Sequence, residues 1–313
     1  VFLRPLGLRL IMQATIRKSN KVRRSKGDVI FDTVVYIITG LMILIAIYPM
    51  YFILIASISD PALVSSGEIV LIPNGFNLRA YEKLAEFDDI WTGYRNTILY
   101  VIGGTAITLA VNIPASFALS RKQLFGKRAL MAVYLIPMFF TGGLIPTYMV
   151  VKAVNLVDNP LVMILPFSVA SYYIIVGRTF FQNTIPEELW EAAQLDGCGQ
   201  VRYFFIVALP LSKAVLAVIA LWSAVGQWNG YFNALIYLRS PEFQPIQIAL
   251  RNILINNQMM GMTQIGAAAV EARQLAELIK YASIVVSSLP IMLLYPFVQK
   301  YFNNGIMLGS VKG

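Results

Sequence analysis

Long apolar runs separated by short polar connections are the first pattern along this chain. Runs of about 20 mostly apolar residues cross a bilayer core as a helix. They occur at roughly 31–58, 96–119, 129–151, 161–181, 213–238 and 279–302. The pattern predicts an all-α, polytopic membrane protein with six transmembrane helices and both termini on the same side. Several runs contain proline (Pro49, Pro114, Pro137, Pro146, Pro166, Pro290, Pro296). Membrane helices tolerate such breaks when protein or water satisfies the freed backbone groups, so kinked helices around a cavity are expected. The connections divide the chain into a basic tail (1–28), a six-span domain (29–303) and a short C-terminal tail (304–313). Between spans, 59–95 and about 239–278 are long mixed segments, whereas 120–128 and 155–160 are tight turns. In the second long segment, Ile246, Leu250 and Ile253 recur at helical spacing. They predict a short amphipathic helix, packed on the membrane domain or offered to an external partner.

Composition sharpens this picture. The chain is 58% apolar and 13% charged, with a mean hydropathy of +0.67, well outside the soluble range. The first apolar run is far longer than a signal-peptide core and reads as an anchor; residues 1–11 precede Met12 and are assigned no role. A single cysteine (Cys198) and no histidine exclude a disulfide framework, a Cys/His zinc site and a histidine proton shuttle. No metal is expected. The net charge of +9 suggests nucleic acid only until it is sorted by segment. With the N-terminus cytoplasmic, the inner segments hold 17 of the 25 basic residues but 6 of the 16 acidic ones. This bias is the positive-inside pattern, so the charge reports topology and lipid contact, and no nucleic-acid partner is expected.

Absences matter as much. No Asp, Glu, Lys or Arg sits in the middle of a span, although proton-coupled carriers and voltage sensors depend on such groups. No nucleophile with its base and no carboxylate pair lies within the membrane, as an intramembrane enzyme would need. A stand-alone channel is the other rival. No G-x-x-x-x-G-K-[ST] occurs, so a chain that uses ATP must receive the work from another subunit.

The segment "TIPEELWEAAQLDG" (184–197) packs four carboxylates into fourteen positions between two apolar runs. Its spacing predicts a helix of about three turns. Thr184-x-x-Glu187 reads as a capping box, Pro186 suits the first turn, and Gly197 can close the helix. At about 100° per residue, Ile185, Leu189, Ala192 and Ala193 share one face, and Glu187, Glu191 and Gln194 lie opposite. Helices that lie on the anionic inner leaflet carry Lys and Arg on the polar face. Glutamate would be repelled there and attracted to a basic protein surface, so the segment reads as a docking helix for a cytoplasmic protein.

The residues that follow carry a family resemblance. "EAAQLDGCGQVRYFFIVALP" (191–210) resembles the inner-loop signature of ABC importer permeases, through Glu191-Ala192-Ala193, Gly197, Val207 and Leu209-Pro210. The family usually has Ile at the position of Val207 and a small residue at that of Cys198. "NTILYVIGGTAITLAVNIPASFALSRKQLFGKRAL" (96–130), "WNGYFNALIYL" (228–238) and the ending 295–313 resemble its carbohydrate-uptake group, and within it the LplC/YtcP-like oligosaccharide permeases.

The resemblance implies a type I importer fold, in the bacterial cytoplasmic membrane with both termini cytoplasmic. It also implies a second, homologous permease chain, an ATPase dimer that binds the ATP and magnesium, and an extracytoplasmic solute-binding protein. This chain would hold no cofactor itself. A coupling helix would enter a cleft on the ATPase and switch the pathway between inward- and outward-facing states. By matching positions, Glu191, Ala192, Ala193 and Gly197 carry that role, with Glu187, Asp196, Leu209 and Pro210 beside them. Gly309 to Gly313 form a further contact to the ATPases.

For the substrate, the fifth span offers a stripe. Trp222, Gly226, Asn229 and Asn233 fall within about 40° of one line on a continuous helix. Uncharged amides and an aromatic ring suit sugar hydroxyls and C–H faces, although Asn and small residues also join membrane helices to one another. Tyr172 and Tyr173 are further candidates. A path without buried charge favours a neutral or weakly charged glycan; the alternative cargo is a peptide or polar metabolite.

Overall fold

The computed structural model describes residues 25–263 and 266–306. The basic tail up to residue 24 and the expected contact at Gly309 to Gly313 lie outside these residues. The described residues form helices and short helical turns. They divide into two units, 1–52 and 53–313.

The first unit contains most of α1 (Lys26–Ser57), an apolar helix with mean hydropathy 2.4 over its best window. Its final residues, Ile55 to Ser57, belong to the second unit and are buried. Ser57 Oγ there lies 2.7 Å from Tyr81 Oη. Short helices α2 (Pro61–Ser65) and α3 (Arg79–Ala85) follow.

Helix α4 (Asp88–Ser120) is the axis of the second unit. Against it pack α7 (Ser171–Thr184), α11 (Lys213–Trp228) and α13 (Ile246–Thr263). Helix α14 (Ala267–Ile306) packs on α11 and α13. Buried positions on α4 include Gly93, Thr97, Tyr100, Gly104, Thr108, Asn112, Ser116 and Ser120. They recur every three or four residues, so one face of the helix is small and polar. This face does two things. Its small residues allow close approach: a Cβ on Gly93 would lie 2.9 Å from Ile246 Cα. Its amides and hydroxyls serve backbone groups left unpaired at a short turn and a helix start. Asn96 Nδ2 donates to the carbonyls of Glu242 and Gln244, Tyr100 Oη donates to that of Phe243, and Thr97 Oγ1 accepts from the Ile246 amide. Backbone groups at membrane depth find no water, so interrupted segments need such partners.

Interruptions are frequent. Among the described residues, three helices are long and apolar enough to cross a membrane, or up to five if each of two bent helix pairs counts as one span. The span expected at 129–151 is not continuous. Helices α5 (Lys127–Phe139) and α6 (Leu144–Ala153) meet at 119°, across a break where Gly143 takes φ 80°, ψ 177°. That conformation is open to glycine alone.

The run at 161–181 is helical only in part. A 3-10 turn (Pro160–Met163) leads through irregular backbone to α7, which starts at Ser171. Pro160 and Pro166 lack the amide hydrogens that a continuous helix needs. The chain bends again where the fifth run begins. Helices α9 (Gln200–Tyr203) and α10 (Leu209–Leu211), joined by a π-helical turn at Phe204–Ala208, meet α11 at 80°. The Leu209 amide bonds to the Phe204 carbonyl, five residues back. Pro210, which cannot donate, follows at once. Beyond α11 the chain breaks at Asn229–Gly230 before α12 (Tyr231–Tyr237).

The amphipathic helix expected after residue 245 is α13. Ile246, Leu250 and Ile253 are buried, so its apolar face packs on the protein itself. At the N-terminal end of α4, Asp158 ties two loops together. Its Oδ1 accepts from the amides of Arg239 and Ser240, each at 2.8 Å, and its Oδ2 accepts from Ser240 Oγ at 2.6 Å. These hydrogen bonds hold the Asp158 carboxyl below the usual carboxylate range.

Candidate functional site

The acidic segment forms α8 (Glu187–Leu195) at the C-terminal end of α4. It is shorter than the expected helix and lacks the capping box. Thr184 is the last residue of α7, and Pro186, extended at φ −61°, ψ 141°, stands at the N-cap without a side-chain bond. Thr184 therefore lies in another helix and cannot cap this one. The other end matches expectation. Gly197 takes φ 74°, the Cys198 amide bonds to the Ala193 carbonyl at 2.8 Å, and the Gly197 amide bonds to that of Gln194 at 3.0 Å. This is a Schellman closure, which glycine permits.

The helix is also rotated from the expected wheel. Trp190, 3% exposed, is its anchor. It packs with Ile185, Phe117, Tyr203 and Phe204 in one apolar cluster, with Ala193 against it. Leu189 faces outward, and Leu195 is 91% exposed. Glu188, Glu191, Ala192, Asp196 and Gly197 are exposed with them. Glu187, expected on the outer face, is drawn back into its own chain. Its carboxylate lies 3.7 Å from Arg121 Nη2 and 3.7 Å from Lys122 Nζ. The hydrophobic wheel missed this because the attraction comes from a different element, the turn after α4. Leu209 and Pro210 sit on α10, Leu209 packed against the same cluster and Pro210 exposed. A polar cleft of about 620 Å³ runs beside α8, lined by residues 120–122 and 181–188.

The stripe on the fifth run assumed an unbroken helix, and the break at Asn229–Gly230 divides it. Asn229 is the C-cap of α11. Its Nδ2 donates to the Val225 carbonyl at 3.0 Å, so it terminates the helix and is absent from the cavity lining. The other candidates do converge. Trp222 packs on Tyr172 at 5.3 Å between ring centroids and stacks on Tyr173 at 6.2 Å and 20°. Tyr173 and Asn233 line a cavity of about 130 Å³, with Thr108, Met163, Phe167, Ser223, Gly226, Gln227 and Gly230. Ligand pockets usually measure about 300–1,000 Å³, so this cavity alone is too small to enclose a ligand of that class. Gln227 was missed by the sequence reading, and its signal lay on another helix. It reaches over Gly104 of α4, where a Cβ would come within 2.3 Å of its Nε2.

Comparison with known proteins covers both regions. Residues 90–308 match the family described as binding-protein-dependent transport system inner membrane component. The chain is 37% identical over 286 residues to the polygalacturonan/rhamnogalacturonan transport system permease protein YtcP of Bacillus subtilis, covering 91% of this chain and 99% of that one. It is 34% identical to Protein LplC of the same organism, over 93% and 98% of the two chains. Among solved structures, a chain of a bacterial ABC transporter involved in the import of the acidic polysaccharide alginate superposes with a TM-score of 0.80. That chain shares 32% identity, over 89% of this chain and 99% of its own length.

Proposed function

The chain belongs to the family of binding-protein-dependent transport inner-membrane components, and on that premise we propose that its cargo is carbohydrate, most specifically an oligosaccharide. It is a permease subunit of an ABC importer, a membrane component that works with ATPase and binding-protein partners. The finer assignments are our reading of the geometry. The exposed face of α8, with Glu188, Leu189, Glu191, Ala192, Leu195 and Asp196, is the surface on which the ATPase pushes. The two ATPase subunits hold the ATP and magnesium, and a second permease chain supplies the opposite wall of the pathway. The α8 end faces the cytoplasm.

The observation that supports a sugar is the wall formed by Trp222, Tyr172, Tyr173, Gln227 and Asn233. Aromatic faces and uncharged amides together match a ring with apolar C–H faces and many hydroxyls. Two of the similar proteins are named for glycan transport, one of them for an acidic polysaccharide. The residues lining the cavity carry no charge, so it recognises the sugar ring; carboxylates of an acidic glycan would be met elsewhere.

Uptake of labelled neutral and uronate oligosaccharides, compared in cells with and without this chain, tests the proposal. Uptake of at least one glycan should depend on the chain and fall when Trp222→Ala is introduced. If no glycan shows that dependence while a peptide or other metabolite does, the carbohydrate assignment fails.

A further inference from the structure

Arg121 follows the last residue of α4, at the point where a charged side chain should turn to water. It does not. The residue is 9% exposed, and its guanidinium lies among three aromatic rings. Its central carbon is 4.9 Å from the ring centroid of Trp190, 5.5 Å from Phe117 and 5.7 Å from Tyr203. These rings come from α8, α4 and α9. Its Nε and Nη2 are buried and make no hydrogen bond to protein. The nearest carboxylate oxygen, on Glu187, is 3.7 Å from Nη2. The backbone beside it is gripped too, since the Ser120 carbonyl accepts from Gln182 and Lys127 at 3.3 Å each.

Two features separate this arrangement from an ordinary ion pair. Lys122, 77% exposed, already faces the same Glu187, so neutralising that carboxylate does not require Arg121. A planar, weakly hydrated guanidinium is also the cation suited to aromatic faces. A plug that served stability alone would be apolar, because replacing a buried ion pair with hydrophobic residues of similar volume is often neutral or stabilising.

We propose that Arg121 is a positioning residue that makes α8 and the end of α4 move as one body. A push on the acidic helix is thereby delivered to the span that carries Thr108 on the cavity wall and Gly104 beneath Gln227. The inference rests on the proposed docking of the ATPase at α8. The rings alone would let α8 slide over the cluster. The cation holds Trp190 and Tyr203 to Phe117 at fixed positions, and Glu187 fixes the rotation of α8 about its axis.

The test uses the whole importer, with its ATPases, second permease and binding protein, reconstituted in liposomes. Glycan transported per ATP hydrolysed is measured for wild type, Arg121→Met and Arg121→Lys. Wild type must first show glycan uptake driven by ATP; absence of that would overturn the proposed function rather than the role of Arg121. Coupling between sites commonly amounts to roughly 5-fold or more, so the Met variant should assemble, keep its thermal stability and lose at least ~5-fold in glycan per ATP. The Lys variant should also fall, because it keeps the charge but not the plane. An unchanged ratio in either variant overturns the inference. If the Met variant does not assemble, the Lys variant decides; if neither assembles, Arg121 serves assembly and the inference is wrong.

Discussion

Asn112 shows how one uncharged side chain supports an interrupted fold. It is fully buried on α4. Its Nδ2 donates to the Ser168 carbonyl at 2.7 Å, and its Oδ1 accepts from the Ala170 amide at 3.0 Å. The irregular backbone before α7 is thus tied to α4 through this amide. Asn112→Leu, similar in size, leaves two buried backbone groups unpaired at about 1–3 kcal/mol each. Thermal unfolding in detergent should show a loss of about 2–6 kcal/mol; no measurable loss would mean that the segment finds other partners. The pattern was present in the sequence as the recurrence of Gly93, Thr97, Tyr100, Gly104, Thr108, Asn112 and Ser116. Its role depends on which neighbouring backbone is broken, and that is set by packing rather than by the local pattern.

Asp158 gives a pH prediction at the same scale. Its folded pKa lies below the unfolded one, so its contribution is present above the unfolded value near 4 and is lost as pH falls through the folded value. Hydrogen exchange at the Arg239 and Ser240 amides should stay protected at pH 5 and above, and protection should fall in more acidic buffer. Protection that stayed unchanged through every acidic buffer down to the one that protonates Asp158 would contradict this.

At the scale of elements, the acidic helix was legible in its existence, its glycine closure and its chemistry, all of which depend on neighbours in sequence. Its rotation was not. Trp190 outweighs Leu189 in buried area, and the pull of Arg121 on Glu187 comes from a turn some sixty residues earlier. The interruptions of the third and fourth runs were announced by Pro137, Pro146 and Pro166. The sizes of the bends, 119° and 80°, depend on packing that no local pattern contains. With Glu191 exposed on the outer face, Glu191→Lys should leave the fold intact while placing like charge against a basic partner. A cost of several kcal/mol at such a contact predicts at least ~10-fold weaker recovery of the ATPase with this chain and a parallel fall in uptake. Unchanged recovery and uptake would remove α8 from the interface.

The whole molecule combines two kinds of polarity. Charges stay near the ends of the spans, where they set orientation and meet partners. Amides, hydroxyls and glycines lie along α4, where they serve broken helices and the cavity wall. This division lets a chain in lipid contain bent segments without a charge at the middle of a span, and bent segments are what an alternating pathway needs.

The outward face of α8 has one more consequence. The helix is tied to its own chain through Glu187, Trp190 and Ala193, while Glu188, Leu189, Glu191, Ala192 and Leu195 face away. Address and chassis are therefore separable. With the ATPase docked on α8 as proposed, rewriting those five outward positions, with the three inward ones kept, would direct the same pathway to a different motor and leave its cargo unchanged. Importers with orthogonal energy supplies could be built in this way inside one cell.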